Sequence, residues 1–152
     1  MIGWLLDTNV VSALINPNGA PSVKAWASGQ PEESMYLSVL TLGEYGQGIH
    51  NLDPANRDRV RYSILRDAVA ARFLGRIISV TDGTVRRWGR ISGEMRRRTG
   101  ARPIVVDTLL AASALENNLF LVTRNVRDVA DSGAAIFNPW LDDGSLFSLA
   151  KT

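Results

Sequence analysis

The chain has 152 residues, 45% apolar and 21% charged, with a net charge of +2, figures that suit one ordinary globular domain with one core. It contains no cysteine, which excludes disulfides and thiolate metal sites and makes a reducing, cytoplasmic setting the expectation. Its one histidine, His50, excludes cleavage by a histidine pair and a His-based zinc site.

The opening apolar run Ile2 to Leu6 is short and has no basic flank, so a secretion signal is not expected. No apolar run is long enough to span a membrane, and no membrane association is expected. Every basic residue other than Lys24, Lys151 and His50 is arginine. That bias suits phosphate recognition by guanidinium forks, and it equally suits a GC-rich coding sequence.

Taken in order, Ile2 to Leu6 reads as a buried strand. Asp7-Thr8-Asn9 opens a helix to Ile15, stopped by Asn16-Pro17-Asn18-Gly19, and Pro21 to Ser28 forms a second helix closed by Gly29. Met35 to Val39 is rich in strand formers, and Thr41 to Ile49 reads as a helix despite its three glycines. A polar turn at Asp53-Pro54 leads into a long helix to about Leu74, with Val60, Ile64, Ala68, Val69 and Phe73 at helical spacing. Arg76 to Val80 reads as a strand. Thr81-Asp82-Gly83 starts a helix with Val85, Trp88, Ile91 and Met95 on one face, and Gly100 to Pro103 ends it. Val106 to Leu115 is apolar nearly all round, as expected of a buried helix. Leu119 to Thr123 is a strand, Asn125 to Ala130 a short helix, and Ala134 to Phe137 a last strand. Alternating strands and helices imply a parallel sheet covered on both faces, with ligands bound beyond the carboxyl ends of its strands.

That rule directs attention to acids that follow strands. Asp7 follows the first strand, Glu44 lies one helical turn past the second, and Asp128 comes shortly after the fourth. Asp107 starts the buried helix, beside Val105, Val106, Leu109 and Leu110. A carboxylate removed from water needs a partner or a metal, and several gathered together need a cation between them. Hard oxygen ligands suit magnesium or manganese. Each acid also has a plainer role: Asp7 and Asp107 as helix caps, Glu44 as a solvated helix residue, Asp128 as a partner of its own helix dipole.

The residues Leu5-Leu6-Asp7-Thr8-Asn9-Val10, Leu37 to Glu44, Asp107 to Ala112, Leu121 to Asp128 and Ile136-Phe137-Asn138-Pro139-Trp140 together resemble PIN-domain toxins of the VapC type, in particular the FitB-like branch. The likeness runs from about residue 2 to residue 141. It implies a PIN-like three-layer α/β/α sandwich with a central, mainly parallel sheet, spanning 1–141 as one domain and followed by a 142–152 tail. It implies a magnesium-dependent endoribonuclease, with manganese as a substitute, leaving 5′-phosphate and 3′-hydroxyl ends. Asp7 and Asp107 would be the surest metal ligands, with Glu44 completing the cluster and Asp128 in the fourth acidic role. Asn9, Thr123 and Asn125 would contact substrate. Two departures bear on that fourth role: Asn125 stands where Asp is frequent, and Val129 follows Asp128 where an aromatic residue is usual. The resemblance further implies a cognate antitoxin, a homodimer and a toxin–antitoxin hetero-oligomer.

Arg86, Arg87, Arg90, Arg96, Arg97, Arg98 and Arg102 crowd one helix and its exit. Of these, Arg96, Arg97 and Arg98 are candidate RNA contacts, and a solvated helix face accounts for them equally well. His50 suits a helix C-terminus. Trp4, Trp26, Trp88 and Trp140 read as core or interface residues. The apolar tail Leu146-Phe147-Ser148-Leu149 reads as exposed, an interface element or a loose terminus. A receiver domain, a haloacid-type phosphatase and a dinucleotide-binding enzyme all lack their required residues after the first strand. A catalytically inactive PIN module that binds RNA or a protein partner is the alternative to the nuclease.

Overall fold

In a computed structural model, which describes residues 1–151, the strands β1 (Gly3–Leu6), β2 (Met35–Ser38), β3 (Ile77–Ile78), β4 (Leu119–Val122) and β5 (Ile136–Phe137) form one parallel sheet in the order β3-β2-β1-β4-β5. The helices are α1 (Thr8–Ile15), α2 (Pro21–Ser28), α3 (Val39–Asn51), α4 (Asp58–Arg72), α5 (Asp82–Thr99), α6 (Val105–Glu116) and α7 (Val126–Val129). None of the described helices is long and apolar enough to cross a membrane.

The pleat of β1 divides the core. Trp4 and Leu6 face one side and pack with Val10 and Val11 of α1, Val23 of α2, and Val69 of α4 with Phe73 just beyond its end. Leu5 faces the other side and packs with Leu110, Ala111 and Ala114 of α6. Helix α5 lies outside α6, touching it through Ile91, Met95 and Ala112. This is the expected three-layer α/β/α sandwich, and its parallel strands read as continuous apolar runs because both faces are covered. Gly3 starts the central strand where a side chain has no room, since a Cβ there would lie 2.6 Å from the Ser34 carbonyl oxygen. Gly100 ends α5 in the left-handed conformation (φ 73°), its N–H donating to the Arg96 carbonyl, as its place after an arginine-rich last turn predicts.

Several elements differ from the sequence expectation. Strands β3 and β5 are two residues long rather than the runs Arg76 to Val80 and Ala134 to Phe137. They are the sheet's edges and pair on one side only, although Leu37 N–H still donates to the Arg76 carbonyl and Leu121 N–H to the Ala135 carbonyl. Helix α3 begins at Val39, directly after β2, because Ser38 caps it through its side-chain oxygen. Val60 and Ile64, in phase with the core stripe of α4, are 66% and 63% exposed, so α4 is anchored through its second half. Val85 is likewise exposed, and Val105 at the start of α6 is half-exposed, so α6 is buried only from Thr108 onward.

The C-terminal residues also depart from the expected exposed tail. Phe147 packs on Phe137 and Phe120, with centroids 4.8 and 5.6 Å away, and Leu149 joins the same cluster. Ala150 N–H donates to the Met1 carbonyl at 2.7 Å, and of the three apolar residues Leu146, Phe147 and Leu149 only Leu146 stands largely exposed. The aromatic group built on Trp4, Trp26, Phe120 and Phe137 is thus closed by the tail. Replacing Phe147 with alanine is expected to lower stability by about 2 kcal/mol in urea unfolding, roughly half the cost of deleting a fully buried aromatic. An unchanged midpoint would show that the tail adds nothing to the core.

Candidate metal centre

The acids flagged in the sequence converge on the carboxyl edge of the sheet. Asp7 ends β1 between β2 and β4 and is 5% exposed. Its Oδ1 accepts from the Thr8 backbone N–H at 2.7 Å, capping α1 as the simpler reading of this residue predicts. Its Oδ2 accepts from the Thr123 hydroxyl at 2.7 Å and from the Asn9 amide at 3.3 Å. These bonds leave one lone pair on Oδ1 for a further partner. Burial raises the Asp7 pKa, and the hydrogen bonds from Thr123, Thr8 and Asn9 oppose that rise. Capping and ligation are therefore compatible functions of one side chain.

Thr123 is buried and fully engaged. It donates to Asp7, and its oxygen accepts from the Asn125 backbone N–H at 2.9 Å. Asn9 spans the same loop, with its Oδ1 accepting from the Arg124 backbone N–H at 3.3 Å. On the other side of Asp7, the Thr8 hydroxyl donates to Glu44 Oε1 at 2.7 Å and lies 3.1 Å from the Thr41 hydroxyl. Glu44 is thereby tied to the residue that follows Asp7, and is not a free solvated side chain. Thr8 and Thr41 are structural supports that the residue-level reading did not single out. The only trace of them in sequence is their position next to a strand-end acid and one turn before another.

Asp107 is half-buried and is not a cap, because Ile104 occupies that position of α6. Its pKa is pushed from 3.8 to about 6, first by burial, then by the charges of Asp7, Asp128 and Glu44, and by a hydrogen bond with Asp128. Asp128 acts on Asp107 both through its charge and through this contact, so the two carboxyls are neighbours. Asn125 is exposed, and its contribution to this network is its backbone N–H. Asp128 rather than Asn125 thus lies against Asp107.

Arg96, Arg97 and Arg98 lie exposed in the last turn of α5. Arg98 donates to the Asp131 carbonyl at 3.0 Å, and no hydrogen bond or ion pair among the described residues ties the three to the four acids. Arg86 and Arg87 of the same helix are ion-paired with Asp82 and Glu116.

The donor set suits a divalent cation by its chemistry. Asp107 feels three other carboxylates, and none of its pKa causes is a cation. Among the described residues, no group of three or more acidic or histidine side chains is drawn together closely enough to hold an ion by itself. The carboxylate set consists of hard oxygen donors, the type that divalent cations take. It fits a structural zinc site poorly, since that requires a closed tetrahedron.

The raised Asp107 pKa fixes a sign. The folded chain holds a proton between pH 4 and 6 that the unfolded chain releases, so this group's contribution to stability is complete below about pH 4 and is lost as pH rises through about 6. Without divalent ions, Asp107→Asn is expected to raise the melting temperature at pH 7.5 and to leave it nearly unchanged at pH 4. Equal shifts at both values in a thermal melt would contradict the electrostatic origin.

Comparison with known proteins agrees with this fold. The toxin FitB of Neisseria gonorrhoeae is 29% identical over 138 residues, covering 91% of this chain and 99% of FitB. The VapC ribonuclease Y4jK of Sinorhizobium fredii is 27% identical over 137 residues, covering 90% and 96%. Among solved structures, FitAB bound to an IR36 DNA fragment superposes with a TM-score of 0.81 at 26% identity, covering 92% of this chain and 97% of the matched one. FitAcB from Neisseria gonorrhoeae gives 0.77 at 29%, covering 90% and 98%. The PIN domain model matches residues 4–130, a span that holds β1 from Trp4 onward, β2, β3, β4 and all four acids, and the chain belongs to the PIN-domain family.

Proposed function

We propose that the chain is a magnesium-dependent endoribonuclease acting as the toxin of a type II toxin–antitoxin pair in the cytoplasm. The single observation that supports this most is the placement of Asp7, Glu44, Asp107 and Asp128 at one edge of the sheet, where Asp107 is loaded with uncompensated negative charge. Membership of the PIN-domain family and the ribonuclease and toxin names of its relatives point the same way. Asp7 and Asp107 are the direct ligands in this reading, Glu44 completes the cluster, and Asp128 fills the fourth acidic role. Asn9, Thr123 and Asn125 hold the loop around Asp7 and line the approach of the RNA strand, with Arg96, Arg97 and Arg98 as outer phosphate contacts. A cognate antitoxin would cover this edge, and the toxin would pair as a homodimer within a larger toxin–antitoxin assembly.

A divalent ion bound here supplies charge neutralisation for the scissile phosphate and lowers the pKa of an attacking water. The chain's own side chains supply position. Thr123 and the Thr8 N–H fix both oxygens of Asp7, so the acceptor is oriented before any substrate arrives. Thr8 holds Glu44 in the same way. The carboxylates accept the proton released when water oxygen bonds to phosphorus. The bond from phosphorus to the 3′ oxygen breaks, and that oxygen takes up a proton, leaving a 5′-phosphate and a 3′-hydroxyl. Neither a nucleophilic serine nor a histidine is required, in keeping with a chain whose only histidine, His50, is an exposed residue of the last turn of α3.

The test is cleavage of labelled RNA by purified protein freed of any partner, in magnesium or manganese and in excess EDTA. Cutting is expected with either ion and absent in EDTA. Asp7→Asn and Asp107→Asn, each checked for folding, are expected to reduce the rate by at least about a hundredfold, the scale on which one preorganised charged group contributes. A well-folded, ion-loaded wild type that cuts no RNA would overturn the nuclease reading.

A further inference from the structure

One cation beside the acids has no acid partner. Arg124 follows Thr123, the residue bonded to Asp7, and its own backbone N–H is held by Asn9. Its side chain is exposed and forms no ion pair or hydrogen bond among the described residues, a lack it shares with Arg96, Arg97 and Arg127, while Arg61, Arg66, Arg72, Arg76, Arg86 and Arg87 pair with acids. The guanidinium instead lies over the ring of Trp140, 5.4 Å from its centroid.

The aromatic face is itself fixed. Thr123 N–H donates to the Phe137 carbonyl at 3.0 Å, which sets the ends of β4 and β5 side by side. Buried Asn138 then turns the chain: its Oδ1 accepts from Trp140 N–H at 3.0 Å, and its own N–H donates to Asp142 at 2.8 Å. Trp140 is half-buried in that turn. The ring holds the guanidinium without using its N–H groups, which make no hydrogen bond among the described residues and can fork to a phosphate. It also removes much of the rotamer entropy that an exposed arginine would lose on binding.

We propose that Arg124, held on Trp140, is a phosphate subsite for the RNA strand at the rim of the carboxylate centre. The subsite takes a phosphate next to the scissile one, and its cation offsets the repulsion between an RNA backbone and an acidic edge. Arg124 is the contact residue and Trp140 is a positioning residue. The inference rests on the ribonuclease reading above, and it is read out by binding so that the two can fail separately.

The experiment measures affinity of the cleavage-deficient Asp7→Asn protein for a single-stranded RNA oligonucleotide in magnesium across a salt series, alone and with a second substitution. Arg124→Ala is expected to weaken binding about tenfold at low salt and to make the slope of log affinity against log salt shallower by about 0.7, the loss of one phosphate contact on a single strand. Arg124→Lys should keep the slope and recover part of the affinity. Trp140→Leu should keep the slope and weaken binding, and Trp140→Phe should restore it; these four variants separate positioning from folding because the slope does not respond to stability. Affinity and slope unchanged in a folded Arg124→Ala protein, while its parent binds RNA, would overturn the subsite alone. A parent that binds no RNA at any salt would overturn the ribonuclease reading and the subsite together.

Discussion

The hydrogen bond from the Thr123 hydroxyl to Asp7 Oδ2, 2.7 Å long and buried, joins the two central strands at the edge where the acids gather. It exists because β1 and β4 run parallel in register, Leu6 beside Val122, so that the residues just beyond both strands meet. Asp7 N–H donating to the Val122 carbonyl at 2.9 Å extends the ladder by one step and fixes the backbone beneath the carboxylate. From this pair the network spreads both ways: through Thr8 to Glu44 on the β2 side, and through Asn9 to Arg124 on the β4 side. An apolar sandwich thus holds a polar cluster whose members are each oriented by a neighbour's hydroxyl or amide.

That cluster opposes folding. The charges of Asp7, Glu44 and Asp128 all raise the pKa of Asp107, so at neutral pH the mutual repulsion of these carboxylates opposes folding. The sandwich tolerates it because the opposing contribution is spread over two aliphatic faces and an aromatic group that the C-terminal residues complete. A cation at this edge relieves the repulsion and stabilises the fold in proportion to its preference for the folded state. Stability and ligand binding are in this sense set by the same four side chains.

The layered architecture was legible because both core faces are written in strand sequence: Trp4 and Leu6 alternate with Leu5, and α6 is apolar all round where it is sandwiched between sheet and α5. Asp7 was legible because a strand-end acid in a parallel sheet lies at the carboxyl edge. The convergence of Asp107 and Asp128 is only permitted by the topology, since spacing does not say that two carboxyls become neighbours. Thr8 holding Glu44 depends on side-chain directions that no periodicity encodes. Val60 and Ile64 show the converse limit: their spacing describes a stripe on α4, but what covers a stripe depends on where the helix crosses its neighbours. The tail departs from its expected exposure for a similar reason, because a run as short as Leu146 to Leu149 gives no sign that an aromatic cluster stands ready to receive Phe147.

The most direct test of the centre is an anomalous diffraction map from crystals of the full chain grown with saturating manganese. The expected result is a peak within about 2.0–2.3 Å of a carboxylate oxygen of both Asp7 and Asp107, with water or phosphate oxygens completing the shell. A map of comparable quality with no peak between those two residues, or with manganese bound only elsewhere on the chain, would contradict it.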